Sequence, residues 1–109
     1  MVVHEKMIYK VTAKFIDSKA EEFYQKLTDG SIQSQKPDGS EMVDAMHRAT
    51  IEGSGLTMWS ELCYCDSPLA HERSTIFDHY FTGIVTEPID DYQEYEGDSF
   101  WDYLIEKSK

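Results

Sequence analysis

An α+β domain is the fold class this sequence predicts, and three stretches carry the prediction. Residues 7–16 alternate as a strand does, residues 18–30 repeat as a helix does, and residues 42–65 read as a β-hairpin around Gly-Ser-Gly. The chain of 109 residues is expected to form one domain, 1–109. That length buries roughly 60–70% of the unfolded surface, so no disulfide or metal staple is required.

Met7, Tyr9, Val11, Ala13 and Phe15 share one face of the first stretch, and Ile8, Lys10, Thr12, Lys14 and Ile16 share the other. Successive strand side chains point to opposite faces, so the first set marks the better-buried side. Ser18 with Glu21 forms a capping-box pattern, and Ala20, Phe23, Tyr24 and Leu27 follow at i, i+3, i+4 and i+7 before Gly30. A short amphipathic helix packed on a sheet is expected there. Residues 29–41 are polar, with Pro37-Asp38-Gly39 as turn chemistry, and read as a long exposed loop.

The hairpin has two possible registers. A two-residue type II′ turn at Gly53-Ser54 places Ile51 opposite Leu56, Ala49 opposite Met58, His47 opposite Ser60, Ala45 opposite Leu62 and Val43 opposite Tyr64. This register is preferred because it gathers apolar side chains on one face, leaving a mixed reverse face on which Arg48 lies against Trp59. A three-residue loop, Gly53-Ser54-Gly55, shifts the pairing by one and sets His47 opposite Glu61 instead. The imidazole is favoured neutral beside Ser60 and charged beside Glu61.

After the hairpin, Ser67-Pro68 resembles an N-cap followed by proline at the first helical position, with Leu69, Arg73, Ile76, Phe77 and Tyr80 near helical spacing. The β-branched and aromatic content of Ser74-Thr75-Ile76-Phe77 allows one long strand over 74–87 instead. Either way a strand is expected through about 80–87, ended by Pro88. Residues 87–106 hold eight acids and no base, yet Tyr92, Tyr95, Phe100, Trp101 and Tyr103 lie among them. Ser99 with Asp102 forms a further capping pattern, and Phe100, Trp101, Leu104 and Ile105 make one apolar stripe. A helix this short must dock to persist, on its own core or on a partner, and an acidic recognition tail is the alternative use of the segment 87–109.

The order strand, helix, strand, strand, helix, strand over residues 7–89 resembles the ferredoxin-like βαββαβ antiparallel sheet with helices on one face. It is similar in pattern to small dimeric α+β-barrel proteins. In such proteins the free sheet face meets a partner sheet or lines a pocket, so the resemblance implies a homodimer. No family motif is matched residue by residue, and no catalytic residue is carried over.

The net charge of −11 is unevenly spread: residues 1–36 hold six lysines against five acids, while residues 37–106 hold 16 acids against Arg48 and Arg73. Nucleic-acid binding is not expected, because it rests on neutralising phosphates with Lys and Arg. Anionic membrane surfaces are disfavoured for the same reason, and no run approaches the ~20 apolar residues of a membrane span. The start Met-Val-Val-His-Glu-Lys lacks the apolar core of a signal peptide, and the two cysteines sit together as Cys63-x-Cys65, which suggests a reduced cytoplasmic protein.

His47 is the candidate general base or ligand-orienting group, a role that suits the histidine side chain in general, with Met58, Trp59, Ser60, Glu61 and Tyr64 as the surrounding ligand-binding wall. The plainer reading makes it a core histidine hydrogen-bonded to Ser60. Cys63, Cys65, His71 and His79 are metal-ligand types without the spacing of recognised zinc sites, so no metal and no cofactor is expected. Asp78 and His79 are adjacent and diverge in either strand or helix. No glycine-rich nucleotide loop, nucleophile elbow or zinc-protease motif is present. The expected function is a homodimeric small-molecule or protein-binding module. The alternative is a cofactor-independent isomerase or oxygenase using His47 as base.

Overall fold

The computed structural model describes residues 7–35, 39–63, 69 and 72–109. It is a mixed α and β structure whose strands are β1 (Met7–Phe15), β2 (Thr50–Ile51), β3 (Leu56–Cys63), β4 (Phe81–Ile89) and β5 (Asp98–Ser99). They form one antiparallel sheet in the order β4-β1-β3-β2-β5. The main helices are α1 (Ala20–Thr28), α2 (Gly39–Arg48) and α3 (Phe100–Lys107). No helix among the described residues is long and apolar enough to cross a membrane.

The alternation of β1 sets the core. Tyr9, Val11 and Ala13 lie opposite Glu61, Trp59 and Thr57 of β3, and all six are buried. Phe23 and Leu27 from α1, Met42, Ala45 and Met46 from α2, and Phe100 and Leu104 from α3 join the same core. Aromatic rings bind the layers together: Phe23 stacks on Tyr80 at 4.4 Å, and Phe15 meets Phe100 edge-on at 5.0 Å. The α1 helix forms where expected, but a 3₁₀ turn at Asp17–Lys19 precedes it and no side chain caps its start, so the Ser18–Glu21 capping box is not made.

The long hairpin is corrected most. Residues 39–48 are helix, not strand and not loop, and only Thr50 and Ile51 pair with β3. Met42, Val43, Ala45, Met46 and Ala49 are buried while Asp44, His47 and Arg48 are exposed, a helical spacing, although the apolar residues Val43, Ala45, Ala49 and Ile51 also fit a period of two. Burial of both Met42 and Val43, and of both Ala45 and Met46, fits the helical period alone. Gly39 starts α2 against the preceding turn, where a Cβ would collide with the Ile32 carbonyl oxygen. Such contact leaves room only for hydrogen.

The short ladder has the register of the three-residue loop, with Thr50 opposite Met58 and Ile51 opposite Thr57. Glu52 N–H donates to the Leu56 carbonyl at 2.9 Å, and Gly55 closes the loop at φ +92°, a conformation glycine adopts without steric cost. The preferred two-residue turn is therefore not formed.

Residues 73–80 are helical rather than strand: a π-helical stretch, Arg73–Phe77, runs into one α-turn, Asp78–Tyr80. Ser67 and Pro68 lie outside the described residues. Strand β4 extends past the expected end to include Pro88, which its place at the edge of the sheet permits. The C-terminal helix is capped as expected, with Ser99 Oγ accepting from Asp102 N–H at 3.2 Å, and it closes the chain's own core through Phe100 and Leu104.

Candidate functional site

Strand β2 is too short to cover β3, and the residues that replace it build the candidate site. Beyond Met58, the outer edge of β3 has no strand beside it among the described residues, yet buried backbone groups must find partners. Helix α2 supplies them from its two ends. Leu62 N–H donates to Glu41 Oε2 at 2.8 Å, and Arg48 Nη2 donates to the Ser60 carbonyl at 2.9 Å. Arg48 Nη2 also bonds Glu41 Oε2 at 3.2 Å, so the seven-residue spacing of these two charges closes a clasp along the strand edge.

Residues 90–97 then pass from β4 at one edge of the sheet to β5 at the other, crossing the face opposite the helices. Ser60 pins this strap. Its Oγ accepts from Gln93 N–H at 3.0 Å, donates to the Gln93 carbonyl at 3.2 Å and shares a 2.9 Å bond with the Tyr95 hydroxyl. The ammonium of Lys10 stands 5.4 Å from the Tyr95 ring centroid. Tyr92 completes the join to the clasp: its hydroxyl donates to Glu41 Oε2 at 3.0 Å, and the Arg48 guanidinium lies 4.6 Å from its ring centroid. Burial, and then the bond to the Glu41 carboxylate and its charge, push the Tyr92 phenol up to about 12.

Between strap and clasp lies a cleft of about 430 Å³ lined by Arg48, Thr50 and Tyr92 to Tyr95. Thr50 Oγ1 is closed off from solvent there without a hydrogen-bond partner. The cleft combines two phenol rings, a fixed guanidinium and the Glu94 carboxylate. It offers shape, π-faces and hydrogen bonds rather than a nucleophile.

The residues singled out from the sequence do not converge on one pocket. His47 is exposed on α2 and stacks on the Trp101 indole at 3.6 Å, facing neither Ser60 nor Glu61. Trp59 and Glu61 lie on the helix-covered face, fully buried, with Trp59 Nε1 donating to Glu61 Oε1 at 2.9 Å. Ser60 and the half-buried Met58 lie on the opposite face, under or beside the strap. Tyr64 lies outside the described residues. Arg48 packs on Tyr92 rather than Trp59. Of the four metal-ligand types, Cys65 and His71 lie outside the described residues, and Cys63 Sγ stands 3.9 Å from Glu72 Oε2. Among the described residues no group of three or more His, Cys, Asp or Glu could hold a metal ion.

Glu41, Arg48, Tyr92, Gln93 and Tyr95 escaped sequence reasoning. The Glu41–Arg48 spacing is informative only once 39–48 is known to be helical, and the tyrosines stood out only as aromatics in an acidic tail. No protein-family model matches the chain, and no curated protein or solved structure matches it significantly.

Proposed function

We propose that the chain is a small-molecule-binding module whose ligand enters the strap cleft, and one observation carries this reading. Arg48 is held by Glu41, by the Ser60 carbonyl and by the Tyr92 ring, so the wall it forms is fixed before any ligand arrives. Preorganised walls avoid the ordering cost that otherwise weakens binding. Glu41 already balances Arg48, and Glu94 adds a negative charge, so the cleft favours a planar molecule that is uncharged or cationic and disfavours an anion.

An NMR fragment titration tests this. Indole-like neutral or cationic aromatics are expected to shift the amides of residues 48–50 and 92–95 saturably, and benzoate-like anions are not. Shifts scattered over the molecule, or an equal response to anions, would refute the site.

Two finer readings accompany it. The order β4-β1-β3-β2 and its antiparallel pairing support a ferredoxin-like frame in which two helices occupy the first crossover and β5 is added outside. A homodimer is proposed through the sheet face that the strap leaves open, where Val85 is 62% exposed and Ile8, Leu62 and Ile89 are half-buried. The β4 edge itself is less suited to pairing, because Pro88 lacks an N–H. Light scattering at micromolar concentration should give twice the chain mass, and Val85→Lys should return it to one; a wild-type monomer would end this part of the proposal.

A further inference from the structure

Helix α1 faces the segment Arg73–Tyr80 across a second cleft, of about 330 Å³, on a part of the molecule separate from the strap. Its lining includes Lys19, Lys26, Gln35, His79, Glu22 and Tyr80. In a chain of net charge −11 this is an unusual concentration of basic groups.

Their pairing is more informative than their number. Among the described residues neither lysine has a carboxylate oxygen within the 4.0 Å of an ion pair. The one carboxylate of the lining, Glu22, accepts a 2.6 Å hydrogen bond from the Tyr80 hydroxyl. That bond, and then the nearby positive groups, hold Glu22 below the usual carboxylate range against the opposing effect of burial. Two ammonium groups against one engaged carboxylate leave the cleft positive even with a neutral imidazole. Glu22 and Lys26 share one side of α1 by their spacing of four, Lys19 joins them from the 3₁₀ turn just before the helix, and His79 comes from the opposite wall. That wall follows a π-helical stretch, a rare conformation that recurs at functional sites.

We propose that this cleft binds the phosphate group of a small phosphorylated molecule, or free phosphate. Lys19 and Lys26 supply two point charges that match a dianion, and the His79 imidazole and the Gln35 amide supply hydrogen-bond donors. Glu22, held by Tyr80, repels any bound anion and so limits its affinity.

The test is an NMR titration of the full chain at low ionic strength with inorganic phosphate and, separately, with glycerol phosphate. Saturable shifts confined to amides of residues 19–26 and 75–80 are expected with at least one of them. Tighter binding of the ester identifies an organic phosphate, and equal binding identifies the free ion. Lys19→Gln with Lys26→Gln should weaken binding about tenfold or more, since each removes a charged hydrogen bond. Glu22→Gln should tighten it. Should the double variant not fold, Lys26→Gln alone is expected to weaken binding severalfold. Absence of saturable shifts with both anions, or unchanged affinity in the folded lysine variants, overturns the proposal.

Discussion

Glu41 Oε2 accepts the Leu62 backbone N–H at 2.8 Å, so a helix side chain does for β3 what a neighbouring strand would do. The same oxygen also receives Arg48 and the Tyr92 hydroxyl. Glu41→Ala should therefore cost about 1–3 kcal/mol, the penalty for leaving a part-buried donor unpaired. Glu41→Gln keeps an acceptor and should cost less. Urea unfolding of the two variants measures the difference, and equal losses would mean that the clasp contributes by charge alone.

The His47–Trp101 stack joins α2 to α3 at the surface. An aromatic pair of this kind contributes about 0.5–1.5 kcal/mol, so His47→Ala should lower stability by no more than that and change the tryptophan emission. A loss of several kcal/mol would place His47 in a buried role that its exposure does not support.

Tyr92 links stability to alkaline pH. Its folded phenol titrates near 12 against an ordinary value of 10.0, so the folded state binds the proton more tightly than the unfolded chain does. The resulting stability is fully present below pH 10.0 and is lost as pH rises towards about 12. Tyr92→Phe should flatten that decline, as followed by circular dichroism in denaturant at stepped pH. An unchanged slope would show that the Tyr92–Glu41 bond is not kept in solution.

Phe100 is fully buried although it begins the last helix of an acidic segment. Phe100→Ala should cost about 3–5 kcal/mol, as large-to-small changes in packed aromatic cores do. A loss below about 1 kcal/mol, the size of an ordinary surface change, would mean that α3 is an appendage rather than a wall of the core.

Local patterns were legible where one period alone fits. The alternation of β1 and the capped apolar stripe of α3 each point to one element, and both formed. Residues 42–51 were not legible in this way, because Val43, Ala45, Ala49 and Ile51 satisfy a period of two while Met42, Met46 and Ala49 satisfy a helix. Reading this stretch as a loop and a hairpin strand puts His47 on the wrong element and hides the Glu41–Arg48 clasp. Glu61 and Trp59 line no open pocket wall but form a buried pair beneath the helices.

By itself the sequence determined the strand β1, the helix α1 and the C-terminal helix with the apolar faces they bury, because side-chain period and burial are set residue by residue. Only the tertiary structure decided which elements stand side by side. The two-residue β2 leaves the β3 edge open, and satisfying its backbone groups draws in Glu41 and Arg48 from a helix. The hydroxyl of Ser60 then fixes a strap more than thirty residues away along the chain. Those partners are chosen by closure of buried hydrogen bonds in space, a constraint that no local pattern in the chain can express.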